Sequence, residues 1–138
     1  MNRTWFLLLA LPISACATAP ISSDTATPVP AEQVLLPEFT NPNDDKGIVI
    51  LTRDRGALGA MCTMQIYVEA SHVANLKQLQ KITLYVDAGE HIIGVRHARG
   101  ICGAAGVAQE LVQTAPGKVT KLRVGYLPDR VMMEHSVY

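Results

Sequence analysis

The chain is short of the residues from which most recognition and catalysis start. It holds seven aromatics (one Trp, four Tyr and two Phe), and Trp5 and Phe6 lie at its very beginning. Stacking platforms for bases or sugar rings are therefore poorly supplied, and nucleic acid is not an expected partner. Neither sign of charge is in excess, with Lys+Arg 12 against Asp+Glu 12. The apolar run Trp5–Leu11 falls far short of the ~20 residues a membrane-spanning helix needs. There is no C-x-x-C spacing and no His/Cys cluster, so a thiol redox or structural metal site has no motif to stand on. Arg53-Asp54-Arg55-Gly56-Ala57-Leu58-Gly59 offers glycines and bases for an anion. It lacks the Lys-Ser/Thr and the strand-to-helix setting of a phosphate loop, and reads as a surface loop. His91 and His97 are six residues apart, about 20 Å along one strand face at ~3.3 Å per residue, too far to share a metal. No catalytic residue, metal or cofactor is expected from these absences.

What is present begins with residues 1–15, which have the three parts of an export signal: Arg3, the apolar Trp5–Leu11, and the small residues Ser14 and Ala15 before Cys16. Leu11-Pro12-Ile13-Ser14-Ala15-Cys16 resembles the lipobox of bacterial lipoproteins. The resemblance implies that Cys16 becomes a lipidated first residue of the mature protein. Two or more acyl chains, at ~0.8 kcal/mol per methylene, hold a protein stably on a membrane. Ala17, where an aspartate would imply inner-membrane retention, implies the outer membrane and a domain facing the periplasm. Surface display stays open.

Residues 16–45 read as a lipidated cysteine followed by a flexible tether. Pro20, Pro28, Pro30, Pro37 and Pro42 break any period, and the segment carries five acids and no base. So little apolar surface does not offset ordering entropy, and an extended chain of up to roughly 3 Å per residue is expected. Val34-Leu35-Leu36-Pro37-Glu38-Phe39 is the exception, either docked on the domain as an edge segment or a partner-binding motif. From Lys46 onward, eleven Lys/Arg face seven Asp/Glu. This domain is mildly basic, which suits an anionic surface or simply gives a solvated face.

Residues 46–138 suffice for one small domain, and alternation dominates them. Cys62, Met64, Ile66 and Val68 alternate with polar residues, as do Ile82, Leu84 and Val86, each predicting a half-buried strand. Gly47–Arg53 is a continuous apolar run that predicts a central strand. Asp87–Glu90 and Ala115-Pro116-Gly117-Lys118 are turn signals that set up two hairpins, with His91–His97 returning after the first and Val119–Tyr126 after the second. Val131–Tyr138 adds an edge strand. Ser71–Lys81 reads equally as a Ser71-capped helix or a short strand. The expected fold is all-β, a small antiparallel β-sandwich of about seven strands. The strand order, with Val73-Ala74-x-Leu76, Gly89-Glu90-His91 and Pro116-Gly117, resembles PEGA-type domains and related domains of small bacterial lipoproteins. That resemblance implies a sandwich used for binding or envelope architecture. Glu69-Ala70 stands where those domains carry Asp-Gly, and Ala88 replaces their proline.

With Cys16 lipidated, Cys62 and Cys102 are an even pair in an oxidising compartment and read as a disulfide. In the chain-entropy model a loop of about forty residues corresponds to on the order of 4 kcal/mol. The rival is a catalytic or metal thiol. Arg96, Arg99, Lys121 and Arg123 could form a basic partner-binding patch across neighbouring strands, or a solvated face. The function expected is a non-enzymatic, outer-membrane-anchored lipoprotein that binds a periplasmic protein or peptidoglycan. Alternatives are an inhibitor of a cell-wall hydrolase or an accessory subunit of an envelope secretion system, and, from another class, an envelope hydrolase or redox enzyme. The oligomeric state is left open.

Overall fold

The structure is a computed structural model that describes residues 18–57, 59–98 and 106–137. Among the described residues nine strands form two sheets: β1 (Thr27–Pro28), β2 (Gly47–Arg53), β3 (Met64–Val68), β4 (Ser71–Leu76), β5 (Gln80–Val86), β6 (Gly89–His97), β7 (Val107–Thr114), β8 (Val119–Tyr126) and β9 (Val131–His135). One sheet has the order β1-β5-β2-β8-β9 and the other β4-β3-β6-β7. Among the described residues the only helical turns are the short 3-10 segments Ala31–Gln33 and Pro37–Phe39. The all-β sandwich stands, with more strands than the alternation alone suggests. It is not purely antiparallel, because β2 pairs in parallel with β8, and β1 with β5.

The alternating residues fill the space between the sheets. Met64, Ile66 and Val68 from β3, Ile82, Leu84 and Val86 from β5, Ile93 and Val95 from β6, and Leu122 and Val124 from β8 are all buried. β2, the continuous apolar run, is flanked by β5 and β8 as a central strand should be. Ser71–Leu76 is a strand. A register shift opposite Ile66/Tyr67 lets both Val73 and Ala74 face inward. That bulge interrupts the two-residue period and lets the segment pass for a helix.

Both expected hairpins are corrected. β5 and β6 belong to different sheets, as do β7 and β8, so each turn carries the chain across the core instead of along one sheet. Alternation cannot separate these cases, because an inward face is needed whether the next strand lies beside or opposite. The two corners meet at one end of the sandwich. The Thr114 hydroxyl lies 2.5 Å from the Asp87 carbonyl and 3.0 Å from that of Gly89, and so pins one corner to the other. Gly47 is required there, since a Cβ would come within 2.6 Å of Thr114 Cβ.

The expectation of a free, extended tether is overturned for residues 18–45. Thr27 and Val29 donate backbone hydrogen bonds to Leu79 and Lys81 along the edge of β5, and Leu35 donates to Val73 on the edge of β4. Ala26 is buried, and Val29, Leu36 and Phe39 pack against the core. The segment is a strap that crosses from one sheet to the other and closes the open side of the sandwich. Its prolines, which suggest disorder, instead suit edge positions where a missing N–H costs nothing. Of the two readings of Val34–Phe39, docking is the one the structure shows.

Candidate functional site

Of the four basic residues read as a patch, the three that are described do not come together. Arg96 stands on the outer face of the four-stranded sheet, whereas Lys121 and Arg123 alternate outward on β8 in the other sheet. Arg99 lies outside the described residues. Arg123 is also committed within the molecule, its Nε and Nη2 donating to Asp54 Oδ2 and its Nη1 to Glu134 at 2.8 Å. The Asp54 side chain is fully buried. Burial pushes its carboxyl up, and the Arg123 hydrogen bond and charge pull it back.

Next to Asp54, Arg53 ends β2 pointing inward and is 2 % exposed. Among the described residues no carboxylate pairs with it. Its guanidinium donates to the carbonyls of Gly59, Cys62 and Leu76 and lies 5.5 Å from the Tyr126 ring centroid. Burial lowers its pKa against the pull of its neighbourhood, and burial likewise raises that of Tyr126. The loop after β2 is thus not a solvated anion loop at its start: Arg53 and Asp54 hold it to both sheets. An arginine two places after the apolar run Ile48–Leu51, on the same strand face as Val49 and Leu51, was the sequence signal for this role.

Two surface regions remain as candidates. The first is the outer face of the four-stranded sheet. Tyr67 on β3 has His72 of β4 stacked at 5.0 Å on one side and the Arg96 guanidinium of β6 at 4.9 Å from its ring centroid on the other strand's side. Arg96 Nε also donates to Gln65 at 2.8 Å. Gly94 and Gln109 continue the row level with Tyr67, and Ile92 and Leu111 lie level with each other, both exposed. The result is a broad face with an ordered cation–aromatic centre, amide groups around it and an apolar flank.

The second is a hollow of about 200 Å³ at the end where the corners meet, lined by Phe39, Lys46, Glu69, Ser71, Tyr85, Asp87 and His91 among others. It gathers His91 and Asp87, two of the three residues that an enzymatic reading would ask for; the third, Cys102, lies outside the described residues. The geometry occupies them, however. His91 Nδ1 is 3.1 Å from Glu69 Oε1, its Nε2 is 2.9 Å from the Asp87 carbonyl, and Lys46 Nζ is 3.5 Å from Asp87 Oδ1. Both His91 ring nitrogens therefore already face protein oxygens. His97 is the last residue of β6 and lies beside Tyr126, whereas His91 is the strand's third residue.

Cys62 is half-buried against the core at the entry to β3, and Cys16 and Cys102 lie outside the described residues. Compared with known proteins, the chain matches no family profile, no curated protein and no solved structure. Among the described residues no group of three or more His, Cys, Asp or Glu is placed to hold a metal, and no helix is long and apolar enough to cross a membrane.

Proposed function

We propose that the protein is an outer-membrane lipoprotein, anchored through Cys16, whose β-sandwich is a non-enzymatic binding module for a periplasmic protein or for peptidoglycan. The observation that carries the binding part is the outer face of the four-stranded sheet, centred on Tyr67 and Arg96. A guanidinium held over a ring by its neighbours is preorganised, so little freedom is lost when a partner's carboxylate or amide docks on it. A cell-wall polymer or an acidic protein surface supplies such groups. The likeness to PEGA-type lipoprotein domains points the same way. Inhibition of a cell-wall hydrolase and service in a secretion apparatus are narrower versions of this reading. The envelope-enzyme alternative rests on the His91 hollow, where both ring nitrogens are already directed at Glu69 and the Asp87 carbonyl.

The test of the face is co-sedimentation with insoluble peptidoglycan and chemical crosslinking in intact cells. Arg96→Glu should lower capture of the partner about tenfold while leaving the thermal midpoint within a few degrees, because the residue is exposed. Unchanged capture by Arg96→Glu together with Tyr67→Ala would remove the face from the proposal.

The anchor and the bridge are tested together by one intact-mass measurement on membrane-extracted protein. We propose a Cys62–Cys102 disulfide, supported by the bonded state of Cys62. The expected species begins at Cys16, carries a diacylglyceryl thioether and is two hydrogens lighter than its fully reduced form. A Cys16→Ser chain that still carries lipid would refute the anchor. Two free thiols at Cys62 and Cys102 would refute the bridge.

A further inference from the structure

Three of the four sheet edges are protected. The strap covers β4, β1 is two residues ending in Pro28, and β9 is five residues carrying Glu134 and His135. β7 is different. It is eight residues long, has no proline, and no strand of the described residues pairs with its outer edge. Long, uncovered edges of this kind are what natural sheets avoid, because their free N–H and C=O groups template another strand.

The register identifies the groups that face this edge. Glu69 N donates to Ile92 O at 2.9 Å and Ala98 N to Thr63 O at 2.8 Å, so the even-numbered residues of β6 bond toward β3 and the odd-numbered ones toward β7. The odd-numbered β6 residues pair with Ala108, Glu110, Val112 and Thr114. Val107, Gln109, Leu111 and Gln113 therefore direct their backbone groups to the open edge, where the exposed Lys118 ammonium holds the Gln113 carbonyl at 2.6 Å and gives way when a strand pairs there. Their side chains are the outward ones as well, with Val107 and Leu111 at 61 % and 57 % exposure and Ile92 adjoining at 40 %.

We propose that β7 pairs antiparallel with β7 of a second copy of this chain, about a twofold axis at Leu111. This register sets Leu111 beside its counterpart and Gln109 against Gln113 of the other copy, an apolar centre flanked by amide pairs. No charge stands opposite a like charge. A shift of one residue would place the two Glu110 carboxylates opposite each other, which is destabilising. Glu110 meanwhile keeps His135 Nε2 at 3.2 Å on the inward side. Isologous pairing also satisfies the symmetry of a closed dimer, so association stops at two. The joined sheets place both Tyr67 faces on one continuous surface. The inference holds whether or not that face binds the proposed partner.

The test uses the full-length chain, solubilised in mild detergent and oxidised. A hydrogen-bonded antiparallel pair sits about 5.5 Å apart at Cα, within disulfide reach. Leu111→Cys should give a reducible dimer at more than half of the protein. Gln109→Cys mixed with differently tagged Gln113→Cys should crosslink, and Gln109→Cys alone should not, since its own counterpart is about 13 Å away at ~3.3 Å per residue. Leu111→Lys should sediment as a monomer with an unchanged thermal midpoint. Crosslinking of Leu111→Cys no stronger than that of Val119→Cys on the other sheet, or to a different protein, would overturn the proposal. Crosslinking of Gln109→Cys alone would overturn the axis at Leu111.

Discussion

A chain beginning at Lys46 should fail to show a cooperative thermal transition, or should melt at least ~20 °C below one beginning at Thr18. The comparison is a pair of melts followed by circular dichroism. The strap buries Ala26 and packs Val29, Leu36 and Phe39 on the core. It also covers the edges of β4 and β5, where Val73, Ala74 and Ile82 are at most 1 % exposed. A valine, leucine, isoleucine or phenylalanine side chain contributes roughly 1.5–3 kcal/mol when fully buried, and the half-buried Val29, Leu36 and Phe39 part of that. Losing several approaches the ~5–15 kcal/mol that is the whole stability of a small domain. Leu36→Ala with Phe39→Ala gives the intermediate case and should cost several degrees. Equal midpoints for the two chain starts would return residues 18–45 to the status of a tether.

Arg53→Ala should cost about 3–5 kcal/mol, near the upper end for single substitutions. Removing the guanidinium leaves the carbonyls of Gly59, Cys62 and Leu76 without their donor in a site closed to water. At about 4 °C per kcal/mol for a domain of this size, the midpoint falls by roughly 12–20 °C. Arg53→Lys should recover little of this, because one ammonium cannot reproduce the planar fork that reaches three carbonyls. Arg53→Met keeps the volume and separates packing from hydrogen bonding. If Arg53→Met melted with the native chain, the hydrogen bonds would be irrelevant to stability.

The strands were legible wherever a polar residue alternated with an apolar one, as in Met64–Val68 and Gln80–Val86. The sheet each strand joins was not. Asp87–Gly89 and Ala115–Lys118 are strong turn signals, yet turn chemistry reports only that the chain changes direction. Whether the next strand lies alongside or across depends on the whole core. The strap escaped for a related reason. Its apolar residues are scattered, and the main-chain bonding to the edges of β4 and β5 that sets where they dock leaves no trace in side-chain identity. The supposed basic patch failed because Arg96 and Arg123, assigned to neighbouring strands by sequence order, ended in different sheets. Tyr67 with His72 and Arg96 was hidden by its plainness, being three outward positions on three separate strands.

The bound strap also sets a height. With the proposed lipid on Cys16, Thr18 is already fixed through its hydroxyl to the Tyr126 carbonyl, and Ala19 is bridged to Arg55. Two residues at about 3.5 Å each leave less than ~10 Å of slack between the bilayer and the body. The domain then works like a short-stemmed fixture. It turns about its stem but does not swing, and it samples only the layer next to the lipid. Unpeeling residues 18–45 would pay out roughly 90 Å of line at ~3.3 Å per residue, at the expense of the fold that the line holds shut.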